Sequence, residues 1–262
     1  MILPLDVIRF VTERTGHPLN DDEGITFGPR TRVISGITVA FTLTAEVVAA
    51  AVKAGHNCII HHEWLTFFSA YFGDKERHDL SWPVNQKRIA LLAKHELTCM
   101  RIHGSADELY IFDETARQLG LNEGIGTDGS AIYCRKVFKS PKPTFGELID
   151  HVKRATGMPA LRTTLDSPSR PVSRVGMPWG GMGLFINIAY VQGLIDAGAD
   201  TLICGETDNH AFRVASESGL AVIETSHEVS EVQGLRVFAE ALQAHFKLNV
   251  RFVDTPCIWK VS

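Results

Sequence analysis

Gly55-His56-Asn57-Cys58-Ile59-Ile60-His61-His62-Glu63 is the stretch on which the fold turns. Its centre, Cys58-Ile59-Ile60, reads as a short buried strand. Two histidines at the carboxyl end of such a strand stand where open α/β sheets place their ligand sites. Neighbours on a regular strand point to opposite faces, so one site using both rings requires the chain to leave strand geometry there. The plain alternative is a strand end with two solvated histidines. Upstream, residues 32–41 are strand-like, and Thr44 is placed to cap a helix running through Lys53. Strand, helix and strand form a crossover, which implies parallel pairing.

Working outward, helices are expected over residues 6–14, 84–95, 107–119, 145–155, 185–197, 210–218 and 232–244, and strands over 97–102, 131–138, 174–177, 201–204, 221–223 and 250–253. Residues 20–24 read as a polar turn, and the aromatic-rich 64–82 as a loop that covers a site, a core or a subunit interface. The glycine-rich 124–129 is the candidate boundary between a first lobe, 1–128, and a second, 129–262. The fold class expected is α/β: two similar lobes with mainly parallel sheets flanked by helices.

A weak internal repeat supports two related lobes. Residues 54–63 align without gaps on 197–206, so that His61, His62 and Glu63 match Cys204, Gly205 and Glu206. Arg32-Val33 is taken to match Arg174-Val175 with a one-residue offset. Any two strand–helix–strand units share some of this likeness.

Composition narrows the function. With 262 residues, 45% of them hydrophobic and 21% charged, the chain suits a soluble globular protein with a sizeable core. A net charge of −4 without a basic run argues against nucleic acid as a partner. No apolar run approaches the roughly 20 residues of a membrane span, and the amino terminus lacks signal-peptide character. The expected setting is therefore cytoplasmic. Five cysteines without a CxxC pair suggest buried thiols in a reducing compartment.

Metal chemistry is sought among the 11 histidines. Polar clusters follow four strands: His61-His62; His103 through Asp107; Glu206 through His210; and Glu224 through Glu231. In the last, His227 and Glu231 are four apart, so a helix starting by Ser226 would set them on one face, one turn apart. Each cluster alone fits a solvated pair or a helix cap. Together they occupy the one edge that the carboxyl ends of parallel strands share. Imidazole and carboxylate without thiolate suit zinc, iron, manganese or nickel. Two ions sharing a bridging carboxylate would use all these groups and activate a water between them. Trp179-Gly180-Gly181-Met182-Gly183, between a strand and a helix, has two readings: amides that cradle an anion, or a loop packed tightly against the facing lobe.

The order and spacing of these motifs resemble the Nif-three-like family of dinuclear-metal-centre proteins, some known as GTP cyclohydrolase 1 type 2 homologues. The resemblance rests on His61-His62 after a hydrophobic strand, His103-x-x-x-Asp107, Gly205-Glu206 through His210, and His227-x-x-x-Glu231, and runs from Asp22-Glu23-Gly24 to the carboxyl terminus. It implies that His61, His62, Asp107, His227 and Glu231 ligate two divalent ions between the lobes, with Asp107 or Glu231 bridging, and that His103, Glu206 and His210 line or support the site. It also implies a homo-oligomer, commonly a ring-shaped hexamer. Family members usually carry proline where this chain has Glu63; that side chain could be a sixth ligand, a proton carrier or simply solvated. The expected function is metal-dependent hydrolysis of a small molecule, either cyclohydrolase-like opening of a purine ring or phosphoester cleavage, with His103, His210 or Glu63 moving the proton. The other reading is a non-catalytic protein that stores, delivers or regulates with its metal.

Overall fold

The computed structural model describes residues 1–67, 79–126, 136–255 and 259. Its strands run in chain order as β1 (Gly24–Phe27), β2 (Ile37–Ala40), β3 (Cys58–His61), β4 (Thr98–Arg101), β5 (Gly124–Gly126), β6 (Val137–Lys139), β7 (Arg162–Thr163), β8 (Arg174–Gly176), β9 (Thr201–Cys204), β10 (Ala221–Glu224) and β11 (Val250–Val253). The chain divides into two compact units. One comprises Met1–Tyr110 and Leu235–Pro256; the other comprises Ile111–Gly234 and Cys257–Ser262.

In the first unit the sheet order is β1-β4-β3-β2-β11. The last four of these strands are parallel, and β1 runs antiparallel on the edge with a bulge between Ile25 and Phe27. Every residue of β2, β3 and β4 is buried, as expected of strands covered on both faces. Ala40 lies opposite His61, and His61 opposite Arg101, so these strands end in line. That alignment brings the residues just after β3 and β4 to one sheet edge. The helix Ala45–Lys53 begins where Thr44 accepts the Val47 N–H at 3.2 Å. Its buried Val47, Val48 and Ala51 join Leu43, Ile59, Leu92 and Leu97 in the core. Burying each large aliphatic group contributes about 1.5–3 kcal/mol.

The second unit's sheet runs β5-β6-β8-β9-β10-β7. Only β8, β9 and β10 are parallel; β5, β6 and β7 pair antiparallel at its two sides. The expectation of mainly parallel sheets therefore holds for the first unit and for the centre of the second. Gly124–Gly126, read as part of a boundary, is β5. Thr144 and Asp208 cap the helices Phe145–Thr156 and Asn209–Glu217 through side-chain oxygens.

The repeat survives in its strand register but not upstream. β3 and β9 coincide with the aligned segments. Ile37 lies opposite Cys58 as Val175 lies opposite Thr201, so Val175 corresponds to Ile37 rather than Val33. Residues 32 and 33 precede β2 and are not strand.

Cys58, Cys99 and Cys204 are buried free thiols. Burial pushes Cys58 up to about 12 and raises the other two, so these sulfurs stay protonated. Cys134, Cys257 and residues 68–78 of the aromatic stretch lie outside the described residues. Among the described residues, no helix is long and apolar enough to cross a membrane.

Candidate metal centre

The two histidines after Ile60 part company. His61 is fully buried as the last residue of β3. Its Nδ1–H donates to the Glu63 carbonyl at 2.6 Å, because a carbonyl can only accept. Its Nε2 therefore accepts from the Thr26 hydroxyl at 2.8 Å. Burial is the main cause that lowers its pKa to about 4, so the ring is neutral near pH 7. His62 follows, with its N–H on the Ala40 and Phe41 carbonyls and its Nδ1–H on the Ile102 carbonyl at 3.1 Å. Its Nε2 then lies 3.9 Å from Asp107 Oδ1.

His103 completes this set. Its Nδ1–H donates to Asp22 Oδ2 at 3.0 Å, and its ring centroid stands 4.8 Å from that of His62. The ligand atoms of His62, His103 and Asp107 all lie within 4.8 Å of one another. Asp107 opens a π turn, Asp107–Ile111, inside the longer helical run 104–118. Such turns recur at functional sites because the wider turn re-aims the side chains it carries.

The supporting groups come from Asp22 and Glu23, which sequence reading treated as a polar turn. Glu23 accepts the His103 N–H at 2.6 Å, the Ser105 N–H at 3.0 Å and the Ser105 hydroxyl at 2.6 Å. Asp22 also accepts from Arg101 at 2.6 Å. Arg101 is 1% exposed, donates to the His62 carbonyl at 2.9 Å and lies 3.6 Å from the Trp64 ring centroid. Burial would lift the Asp22 carboxyl, but His103 and Arg101 hold it below its ordinary value. On the same unit, Asp22, Thr26, Phe27, Trp64, Leu65 and Arg101 help to line a cavity of about 590 Å³.

In the second unit the helix His227–Phe246 begins at His227 itself. His227 Nε2 and Glu231 Oε1 are 3.3 Å apart, as the four-residue spacing requires. His227 Nδ1–H donates to Glu206 Oε2 at 3.0 Å. Ser226, just ahead, has φ 131, a strained backbone for a residue with a Cβ. Its N–H on the Gly205 carbonyl at 2.7 Å helps to hold it there.

The glycine loop explains why Glu231 fits. Gly180 has φ +51, and a Cβ there would stand 1.9 Å from Glu231 Oε1. A Cβ at Gly205 would stand 2.4 Å from the Gly180 nitrogen and 2.5 Å from Ser230 Oγ. Ser230 Oγ accepts the Gly180 N–H at 2.9 Å and donates to the His227 carbonyl at 2.7 Å. The packing observed at this loop is within its own unit: Gly180 makes room for a candidate ligand and spends its amide on Ser230. His210 belongs to neither set. It is exposed, its ring lies 5.5 Å from that of Phe185, and its N–H bonds Asp208.

The donor chemistry fits divalent ions. His62, His103 and His227 each commit Nδ1–H to a carbonyl or carboxylate, which fixes the tautomer and turns Nε2 toward a carboxylate. With metal–ligand bonds of about 2.0–2.2 Å, ligands of one ion stand about 3 to 4.4 Å apart. The 3.3 Å and 3.9 Å separations fall in that range. Neither set contains a thiolate.

A family model described as Duf34/NIF3 (NGG1p interacting factor 3) matches residues 15–257. A protein of Pseudomonas aeruginosa called GTP cyclohydrolase 1 type 2 homolog is 25% identical over 232 residues, which is 86% of this chain and 84% of that protein. Among solved structures, a Staphylococcus aureus hypothetical protein superposes with a TM-score of 0.79 at 16% identity, covering 99% of both chains. A Bacillus cereus protein related to NIF3 gives 0.77 at 16% identity, covering 98% of this chain and 97% of that one. At such identities the structural likeness speaks for the fold alone.

Proposed function

The chain belongs to the Duf34/NIF3 family, and on that premise we propose that it binds two divalent ions and uses them to hydrolyse a small molecule. The ligands in this reading are His62 and Asp107 from the first unit and His227 and Glu231 from the second. His61 is the fifth, on condition that it exchanges its Thr26 hydrogen bond for an ion. The observation that carries the reading is the shared orientation of three imidazoles, each with Nδ1–H spent on an acceptor and Nε2 beside a carboxylate. Surface histidines have no reason to repeat that arrangement.

Bound ions would supply Lewis acidity and a water nucleophile at neutral pH. The chain's own groups do the rest. Asp22 and Glu206 orient His103 and His227, and Glu23 anchors the turn that carries His103. His103 and Glu63, whose Nε2 and Oε1 stand 3.9 Å apart, are the candidate proton carriers. The cavity beside Trp64 and Phe27 combines an apolar wall with carboxylates and the Arg101 guanidinium, a lining that suits a flat ring with a polar edge. The relatives' name, GTP cyclohydrolase 1 type 2 homolog, points the same way. The test is turnover of guanine nucleotides and of simple phosphate esters by protein loaded with manganese, iron or zinc. Metal-dependent release of a ring-opened product, abolished by chelation, is the expected result. A metal-loaded protein that turns over neither class would leave the non-catalytic metal-binding reading in its place.

A further inference from the structure

Arg101 is the last residue of β4, and β1 runs antiparallel beside it with Gly24 opposite. That pairing sets Asp22, just ahead of β1, against the guanidinium. Both residues help to line the first unit's cavity of about 590 Å³. The buried guanidinium is held from three directions. Nε donates to the His62 carbonyl at 2.9 Å, Nη1 donates to Asp22 Oδ2 at 2.6 Å, and the guanidinium carbon lies 3.6 Å from the Trp64 ring centroid. Asp22 Oδ2 also accepts from His103 Nδ1 at 3.0 Å. The ion pair is therefore joined through one nitrogen and one oxygen, not through the two parallel bonds of a fork-on-fork pair. Among the described residues, Arg101 Nη2 donates to none, and Asp22 Oδ1 accepts from no other residue. Neighbouring polar groups on this wall are spent. Glu23 uses Oε1 on the His103 and Ser105 N–H groups, and Oε2 on Asn20 and the Ser105 hydroxyl. Thr26 gives its proton to His61. Beside apolar Phe27, Leu65 and Ile89, the wall thus holds one unused donor and one unused acceptor on a single ion pair.

That pair decides what chemistry it can recognise. Its two charges cancel, so it favours neither an anion nor a cation. A phosphate or carboxylate offers acceptors alone and would set an oxygen against Oδ1. An amine offers donors alone and would face Nη2. A neutral edge with a carbonyl beside a ring N–H satisfies both groups. We propose that Arg101 and Asp22 are the specificity-determining pair of this cavity and read the lactam edge of an oxo-heterocycle, Nη2 donating to the ring carbonyl and Oδ1 accepting from the ring N–H. The inference deepens the function proposed above and rests on its use of the cavity as the substrate's ring pocket. An amidine edge, with an exocyclic amine beside an unprotonated ring nitrogen, presents the opposite order. It would leave a donor and an acceptor unpaired, at a cost of about tenfold or more in affinity.

The test is binding of inosine, 1-methylinosine and adenosine to the full chain as purified, by titration calorimetry, with the same mixtures assayed for product. Inosine carries the lactam edge; methylation removes its ring N–H, and adenosine reverses the order of donor and acceptor. Inosine should bind about tenfold or more tighter than either. Arg101→Lys keeps the charge but not the planar fork, and should remove most of that preference. Asp22→Asn keeps an oxygen for Arg101 and puts an amide nitrogen in place of Oδ1, so the preference for inosine over adenosine should shrink by about tenfold or reverse. Thermal unfolding shows which variants are folded. If Arg101→Lys is not, the nucleoside series on the parent chain and Asp22→Asn still decide. Parent affinities within about twofold of one another, no binding of inosine at millimolar concentration, or a folded variant that keeps the parent's preference would overturn the inference. A lactam preference without any product would support it and overturn the hydrolase reading alone.

Discussion

The two copies of the repeat end their central strands in the same register and put different chemistry there. After β3 come His61, His62 and Glu63; after β9, the aligned positions are Cys204, Gly205 and Glu206. In the first copy the strand end carries candidate ligands itself. In the second it carries their supports. Gly205 yields space to Gly180 and Ser230, and Glu206 orients a histidine that arrives from the helix after β10. One backbone frame can therefore serve a site in two ways, and the sharpest difference is at the aligned pair His62 and Gly205, where one copy has an imidazole and the other has no side chain.

The comparison breaks most sharply at the aligned pair His62 and Gly205. Gly205→Ala sets a Cβ 2.4 Å from backbone, with no flexible side chain to yield, and should cost about 3 kcal/mol or more in denaturant unfolding. His62→Ala should leave the chain folded and cost it the first unit's ion, seen as lost metal content. Equal stability losses in the two variants would mean that both strand ends are merely structural.

A second contrast lies between His61 and its counterpart Cys204. His61 titrates near 4 in the fold and near 6.5 in the unfolded chain, so the unfolded state binds more protons between those values. Its stabilisation is complete above about pH 6.5 and is lost as pH falls toward 4, by on the order of 3 kcal/mol. The Cys204 thiol is protonated throughout that window. In metal-free protein, the pH dependence of unfolding from 6.5 to 4 should flatten in His61→Asn; an unchanged slope would assign it elsewhere.

The two orienting carboxylates differ more subtly. Asp22 neutralises buried Arg101 as well as holding His103, whereas Glu206 is half exposed and faces His227. Asp22→Ala should lower stability by about 2 kcal/mol as well as weaken metal binding. Glu206→Ala should weaken metal binding by about 10–100-fold with little change in unfolding. Calorimetry and metal titration on the same samples distinguish them.

Much of this was legible in the sequence because it is periodic or local. Cys58-Ile59-Ile60 is a strand, and the spacing of His227 and Glu231 puts them one turn apart once the helix starts at His227. Contacts distant in sequence were not legible. Asp22 and Glu23 look like turn residues, yet they hold His103 and Ser105 some 80 positions away. Gly180 looks like a possible anion loop, and only the position of Glu231 shows why it lacks a side chain. The strand before β3 was overextended because residues 32–36 share the apolar pattern of β2 without its pairing. Two antiparallel strands of the second sheet, β5 and β7, are three and two residues long, too short for a period to show, whereas β6 overlaps the end of the strand expected over 131–138.

Anomalous scattering from crystals grown with Mn²⁺ or Zn²⁺ tests the central claim most directly. The account predicts one peak coordinated by His62 and Asp107 and another on His227 and Glu231. Ordered side chains at these positions with no anomalous peak on either set, at saturating metal, would contradict it.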